Sequence, residues 1–374
     1  MSIHTTRFAI VGGGLSGLYA AYRLEQQGCT DYVLLEAREV PGGRILSTGR
    51  FDLGPTWFWP DLQPALDRLV RELDLERFAQ HEAGDMMAER SRSEGPLRMR
   101  GYVNAPASMR LAGGMAALTE ALRMRLEASR IVTGQAVRRL RRQGTLVELD
   151  SEDARGKLTT RQAGHVLLAA PPRLLAATLA FDPALPDALA RAWQATPTWM
   201  APHAKYLAVY DTPFWREQGL SGAARSAVGP LGEIHDACAP GGSAALFGFF
   251  ALPAQVRGRF SEEELRGHCR AQLARLFGAQ AATPQADFIK DWAVDGYTAT
   301  AADLDGMGGH AEAPEAVAGA GPWAGCMTGI GSEWSPVFPG YLAGAIDAVD
   351  RALQPATAAA PAQVASARST RPVT

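Results

Sequence analysis

Apolar residues follow two rhythms along this chain of 374 residues. Short apolar runs bounded by glycine, proline or charge mark strands, and recurrences three and four residues apart mark helices. Arg7-Phe8-Ala9-Ile10-Val11 reads as a strand, followed by a helical run Leu18-Tyr19-Ala20-Ala21-Tyr22-Arg23-Leu24. A second strand is Tyr32-Val33-Leu34-Leu35. Leu62, Leu66, Leu69, Val70 and Leu73 predict a helix over 62–75, and Gly113-Gly114-Met115 opens another that runs to about Leu126. Strands are expected at 130–133, 145–149, 165–169, 206–210 and 244–250, with hairpin character around 151–161. Helices are expected at 262–277 and 346–353. The charged, Met-rich stretch 76–108 predicts irregular structure, and the Ala/Pro/Ser/Thr tail predicts disorder. No internal repeat is visible.

The junction between the first strand and the first helix carries the first chemistry. Gly12-Gly13-Gly14-Leu15-Ser16-Gly17 has G-x-G-x-x-G spacing. Such glycines allow a tight turn, close backbone approach to a pyrophosphate, and close helix–strand packing. The helix N-terminus adds free N–H groups and a positive dipole end. Glu36 ends the second strand, where an acid accepts hydrogen bonds from ribose hydroxyls. This fingerprint specifies a dinucleotide and leaves NAD and FAD open.

Composition narrows the class. A chain this long predicts two domains. Apolar residues make up 47% and charged residues 20%, as in ordinary globular proteins. A net charge of -2 gives no electrostatic reason to expect nucleic acid or an anionic membrane as partner. No apolar run approaches a bilayer span, and no signal peptide is apparent. Cys29, Cys238, Cys269 and Cys326 are scattered and read as reduced thiols of a cytoplasmic protein. The histidines are equally scattered, so no metal site is expected. Only Lys157, Lys205 and Lys290 are lysines among 37 basic residues. A retained lysine points to a need for a compact, deprotonatable amine.

At this point the sequence resembles the flavin-containing amine oxidases, the family of monoamine, polyamine and L-amino-acid oxidases with a glutathione-reductase-type FAD domain. Beyond the glycine fingerprint, Pro41-Gly42-Gly43-Arg44 and Phe51-Asp52-Leu53-Gly54 are similar to the family's second FAD-contacting segment. Ala136-Val137 looks like the position whose backbone meets the adenine. Lys290-Asp291-Trp292 resembles the segment that places a tryptophan against the flavin. Gly331-Ser332-Glu333 and Gly340-Tyr341-Leu342-Ala343-Gly344-Ala345 look like the closing FAD motif. Small residues there permit close approach, and a helix N-terminus would favour charge on the reduced ring. By itself, 340–345 reads equally well as a helix start packed on a neighbour. The strand around Lys205, with Pro213-Phe214-Trp215 after it, is similar to the one carrying a lysine bonded through water to flavin N5. Without the resemblance, Lys205 reads as an exposed residue at a strand start.

The resemblance implies non-covalent FAD, held by Gly12, Gly14, Leu15, Ser16, Gly17, Glu36, Ala37, Arg38, Gly42, Gly43, Arg44, Gly54, Pro55, Thr56, Val137, Trp292, Gly331, Ser332, Glu333, Gly340, Tyr341, Leu342 and Ala345. It implies catalytic roles for Lys205, Tyr341 and Trp292. Departures also stand out. The second of two cage tyrosines falls near Ala302, so the aromatic pair is expected to be broken. The cysteine that some members link to FAD falls near Ala301. Residues 57–108 are shorter than the family's first substrate segment, and its C-terminal membrane helix is absent. Trp57, Phe58, Trp59, Trp199 or Phe249 would then line the site, or belong to the core.

The expectation is an α/β fold: a Rossmann-like FAD-binding domain from 1–60, 109–180 and 290–355, interleaved with a smaller mixed-sheet substrate domain from 61–108 and 181–289. Residues 356–374 form the expected tail. The expected reaction is oxidation of an amine by hydride transfer to flavin, with oxygen or another acceptor taking the electrons. The rival readings are a C–C desaturase or porphyrinogen-type oxidase, and a flavin-binding protein with a degenerate site. Oligomeric state stays open.

Overall fold

The computed structural model describes residues 4–304, 309 and 311–354. The expected tail at 356–374 lies outside the described residues. Two large sheets organise the rest.

The first has eight strands. Thr5–Val11 lies at its centre, parallel both to Tyr32–Leu35 and to Leu158–Leu168. Ile131–Val132 extends the sheet beyond Tyr32–Leu35, and Met327–Gly329 pairs in parallel with Leu158–Leu168. The register brings Val11, Leu35 and Leu168 level, with Gly329 beside Leu168. The carboxyl ends of these parallel strands therefore share one edge, where open α/β sheets bind ligands. Leu146–Glu152 and Leu158–Leu168 form the hairpin that the sequence suggested, and Ala136–Gln143 with Ala180–Asp182 complete the sheet. Helix Leu15–Gln26 packs against helix Leu342–Leu353 through a buried cluster including Leu18, Ala21, Ala345 and Ile346. Tyr19 donates to Asp350 across this contact at 2.9 Å.

The second sheet has seven strands in the order Ala286–Asp291, Ala204–Tyr210, Ala244–Phe250, Leu231–Asp236, Leu220–Ser226, Asp85–Glu89 and Leu97–Met99. Helix Glu262–Phe277 covers one face, its start closed by a reciprocal Ser261–Glu264 capping box. Tyr206, Trp215, Cys269 and Phe277 are buried in the layer between helix and sheet. The expected boundaries at 244–250 and 262–277 match the strand and helix found there.

The stretch 76–108 is not irregular throughout. It contains Arg77–Ala79, Asp85–Glu89 and Leu97–Met99, and the last two extend the second sheet. Asp85–Glu89 pairs in parallel with a strand more than a hundred residues away, and most of its residues are half-buried. No apolar alternation marks this strand, although the Gly95-Pro96 turn that joins it to Leu97–Met99 was a signal. Its anchor is Glu89, whose carboxylate accepts from Arg275 and Ser226.

Candidate active site

Residues from both sheets line one cavity of about 590 Å³. At the edge of the first sheet, each parallel strand delivers lining residues just past its end. Val11 leads to Gly12, Leu35 to Glu36, Leu168 to Ala169 and Ala170, and Gly329 to Gly331. Of the residues assigned from sequence to holding FAD or to catalysis, every one except Gly17 and Glu333 lines this cavity.

The glycine turn is tight for identifiable reasons. Gly12 has φ +108, and a Cβ there would sit 2.9 Å from the Ala169 carbonyl oxygen. A Cβ on Gly17 would run into the Gly12 carbonyl oxygen. Gly17 is thus required by helix–strand packing, not by contact with the cavity. Leu15 and Ser16, in the first helical turn, do line it. Glu36 is buried, accepting from the Gly13 amide at 2.6 Å and the Arg38 amide at 2.8 Å. Ala37, Arg38, Gln135, Ala136, Val137 and Arg138 continue this end of the lining.

Glu333 has a different task from the expected one. Its carboxylate accepts two hydrogen bonds from Arg44, at 2.6 and 3.0 Å, while Arg44 also donates to Ser332 Oγ at 3.0 Å. Arg44 reaches the Trp199 carbonyl at 3.3 Å as well. The bidentate pair ties the Gly42-Gly43-Arg44 turn to the 331–333 segment. Glu333 holds the wall; Arg44 and Ser332 form it.

Helix Leu342–Leu353 begins at the cavity, with Tyr341 as its N-cap and Leu342 and Ala345 in the lining. Two helix N-termini therefore face the same space, a favourable setting for anionic groups.

Lys205 is buried, not exposed. It sits near the start of strand Ala204–Tyr210, paired in register with Phe249 on one side and Lys290 on the other. Its Nζ donates to the Gly54 carbonyl at 3.0 Å and to Thr56 Oγ1 at 2.5 Å. It also lies 4.0 Å from the Phe247 ring centre. Burial pushes the ammonium pKa down to about 7, Asp52 working against the fall and Arg110 with it. Asp52, buried beside Ser47 and the Met115 amide, is raised by the same desolvation.

Trp292 donates from its indole to the Leu53 carbonyl at 3.2 Å and is buried against the cavity. Trp57, Trp59, Trp199 and Phe249 are lining residues, whereas Phe58 is fully buried in the core. Ala301 and Ala302 do not line the cavity; the Ala302 carbonyl accepts from Arg173. An aromatic ring stands beside Tyr341 all the same. Trp199 lies with its ring centre 6.2 Å from that of Tyr341, tilted by 36°. Gly340 makes this possible: at φ +82, its Cβ would fall 2.5 Å from Trp199 Cβ.

Sequence reasoning missed several lining residues: Met200, His203, Glu233, Tyr297 and Thr298 among them. His203 precedes the strand by one residue and Lys205 by two, the spacing that repeats on one side of an extended segment, so a signal was present. Its Nδ1 is buried without a hydrogen-bond partner. Burial, then Arg257, keeps this imidazole below its usual pKa. Glu233 is engaged by His235 at 2.6 Å and by Arg225; although burial opposes it, these partners hold the carboxyl below its usual range.

A family described as flavin containing amine oxidoreductase matches residues 78–352, and an NAD(P)-binding Rossmann-like domain matches residues 10–73. The chain belongs to the flavin-containing amine oxidoreductases. FAD is the cofactor of that family. The chain is 27% identical to the probable flavin-containing monoamine oxidase A of Dictyostelium discoideum over 250 residues, covering 64% of this chain and 51% of the relative. It is 30% identical to putrescine oxidase of Kocuria rosea over 234 residues, covering 55% and 45%. The chain thus spans about half the length of these curated relatives. A match to a hydroxyneurosporene desaturase of Cereibacter sphaeroides covers only 13% of this chain. Among solved structures, putrescine oxidase bound to putrescine superposes with a TM-score of 0.76 at 20% identity, covering 94% of this chain and 98% of that one. Cyclohexylamine oxidase from Brevibacterium oxydans IH-35A gives 0.76 at 19%, covering 93% and 97%. These two likenesses establish the fold. Among the described residues, no helix is long and apolar enough to cross a membrane.

The residues present fit FAD. The glycine turn leaves room for backbone approach, two helix starts suit a diphosphate, and the lining turns aromatic toward Trp199, Trp292 and Tyr341.

Proposed function

We propose that this chain oxidises a small amine with non-covalently bound FAD and passes the electrons to oxygen, giving hydrogen peroxide. The observation that carries the reading is the convergence of buried Lys205, Trp292 and the Tyr341–Trp199 pair on the cavity built by the glycine turn. Bound FAD would supply the two-electron acceptor for a hydride equivalent from the carbon bearing nitrogen, and the imine so formed would be hydrolysed by water to a carbonyl compound and ammonia.

The protein supplies orientation and electrostatics, with no strong base required of it. Tyr341 and Trp199 grip the substrate beside the nitrogen and exclude water, and Trp57, Trp59 and Phe249 surround its apolar part. His203 stays neutral and adds a polar edge to this wall. Among the described residues, Glu233 is the one acidic lining residue besides Glu36, and its charge is already balanced by Arg225, which favours a monoamine over a diamine. Lys205 contributes a charged donor that aids electron transfer to oxygen. None of the four cysteines lines the cavity, which supports a cofactor without a thioether link. All four are unpaired, in keeping with a cytoplasmic setting. In this reading the first sheet and its helices are the FAD-binding domain, and the second sheet is the substrate domain.

The test is reconstitution with FAD followed by anaerobic titration with monoamines, diamines, amino acids and conjugated alkenes. Amines should bleach the yellow protein and yield ammonia. Bleaching by alkenes alone would transfer the chain to desaturase chemistry. FAD binding without bleaching would make it a flavin-binding protein only.

A further inference from the structure

The segment that follows Trp292 carries an ion cluster with no part in the reaction described above. Asp295 does not line the cavity, yet it accepts from Arg38 at 2.6 Å and from Lys290 at 2.9 Å. Arg38 belongs to the turn after Glu36, at the edge of the first sheet, and Lys290 to the edge strand of the second. One carboxylate therefore joins the two sheets across the lining. The same carboxylate shapes a turn: its Oδ1 accepts the Tyr297 amide at 3.1 Å, and the Thr298 amide returns to the Asp295 carbonyl at 2.9 Å. Arg38 then donates to Thr298 Oγ1 at 3.2 Å and lies over the Tyr297 ring, 5.3 Å from its centre. Lys290 lies 4.4 Å from the Trp292 ring centre. Arg38, Trp292, Gly296, Tyr297 and Thr298 all line the cavity.

The arrangement is a set of lining residues held in place by an acid that does not touch the cavity. Asp295 and its partners are mostly buried, with side-chain exposures of 12% for Asp295 and 24% for both cations. Arg38 also lies 3.8 Å from the Glu36 carboxylate, so two cations meet two carboxylates and the cluster carries no net charge: it acts as a tie between segments.

We infer that Asp295 is a cofactor-positioning residue: by clamping Arg38 and Lys290 it holds the 296–298 turn closed over the dinucleotide and sets the rate of FAD release. The inference rests on FAD occupying this cavity. It does not depend on which substrate is oxidised. Breaking the clamp frees Arg38 and the turn, so the cofactor should leave faster while the aromatic and Lys205 walls stay as they are.

The experiment is FAD release from the loaded protein, followed by the rise in free-flavin fluorescence, for the native chain and for Asp295→Asn, Asp295→Glu and Lys290→Gln. Loss of a charge-assisted pair predicts release about tenfold faster in Asp295→Asn. Salt should change release from the native chain only modestly, because ion pairs this buried are screened little. Asp295→Glu should recover most of the slow release, and Lys290→Gln should fall between. The melting temperature of the FAD-free protein separates a clamp from a fold defect: losing the carboxylate should lower it by a few degrees in Asp295→Asn, against the far larger drop of a disrupted fold. Equal release rates for native and Asp295→Asn would overturn the inference. So would faster release that comes with an apoprotein melting far below native. If the native chain takes up no FAD at all, the functional proposal fails instead.

Discussion

Replacing Lys205 by methionine keeps the length of the side chain and removes its charge and its donors. In the native chain the amine is enclosed, with Thr56, Gly54 and the faces of Phe247 and Phe249 around it. Its pKa falls from 10.5 to about 7. Holding the charged form there costs up to about 5 kcal/mol relative to the unfolded chain. Such a cost implies a gain elsewhere. At an effective dielectric of 20, a full positive charge would lower the barrier to electron uptake by about 3 kcal/mol for oxygen approaching to about 5 Å, or roughly a hundredfold. Lys205→Met should therefore slow reoxidation of the reduced protein by oxygen about a hundredfold and the anaerobic reductive step by less than about threefold.

Stopped-flow absorbance separates these half-reactions. The pH dependence gives a second reading with a definite sign. Ammonium is lost as pH rises through about 7, so native reoxidation should decline above that value and the variant should be flat. Stability moves the other way. Between pH 7 and 10.5 the unfolded lysine binds more proton than the folded one, so native stability rises with pH across that window and falls as pH is lowered to about 7. Lys205→Met should lack that slope. Equal slowing of both half-reactions, no slowing of either, or a native-like pH profile in the variant would refute the role given to Lys205.

Three further outcomes follow from the same geometry. Gly340→Ala places a Cβ against Trp199 at a φ of +82, so it should lower stability by about 1–3 kcal/mol and cut kcat/KM, measured by melting and by steady-state kinetics. Arg44→Ala leaves the buried Glu333 without its cation. Since Arg44 is itself 27% exposed, a loss of about 2–4 kcal/mol in unfolding free energy is expected, together with weaker FAD retention. Trp199→Ala should reduce kcat/KM for apolar amines about tenfold while the affinity for FAD, read by titration of the apoprotein, stays near native. Unchanged kinetics in that variant would remove Trp199 from the substrate wall.

Much of the cavity was legible in the chain because its parts are local. Gly17, Gly42 and Gly344 each face backbone only a few residues away, at Gly12, Ile45 and Phe338, and glycine spacing records such constraints directly; Gly12 and Gly340 instead answer to Ala169 and Trp199, far along the chain. The periodicity of 262–277 likewise reports which face that helix buries, and the unbroken apolar run at 244–250 reports a strand covered on both faces. Long-range pairing leaves no such mark. Nothing in the sequence near Glu333 says that it meets Arg44, 289 positions away, or that Asp295 meets Arg38 across 257. Counting along the chain placed the family's second tyrosine near Ala302, a position outside the cavity lining, and only the fold brings Trp199 to Tyr341, because a turn at Gly340 lacks the Cβ that would keep them apart. Burial of Lys205 is likewise a property of three adjacent strands, not of the residues beside it. The sequence by itself determined the dinucleotide turn, the flavin segments and most of the cavity's inventory. The tertiary structure alone decided which charges neutralise one another, which ring faces Tyr341 and how far Lys205 is removed from water.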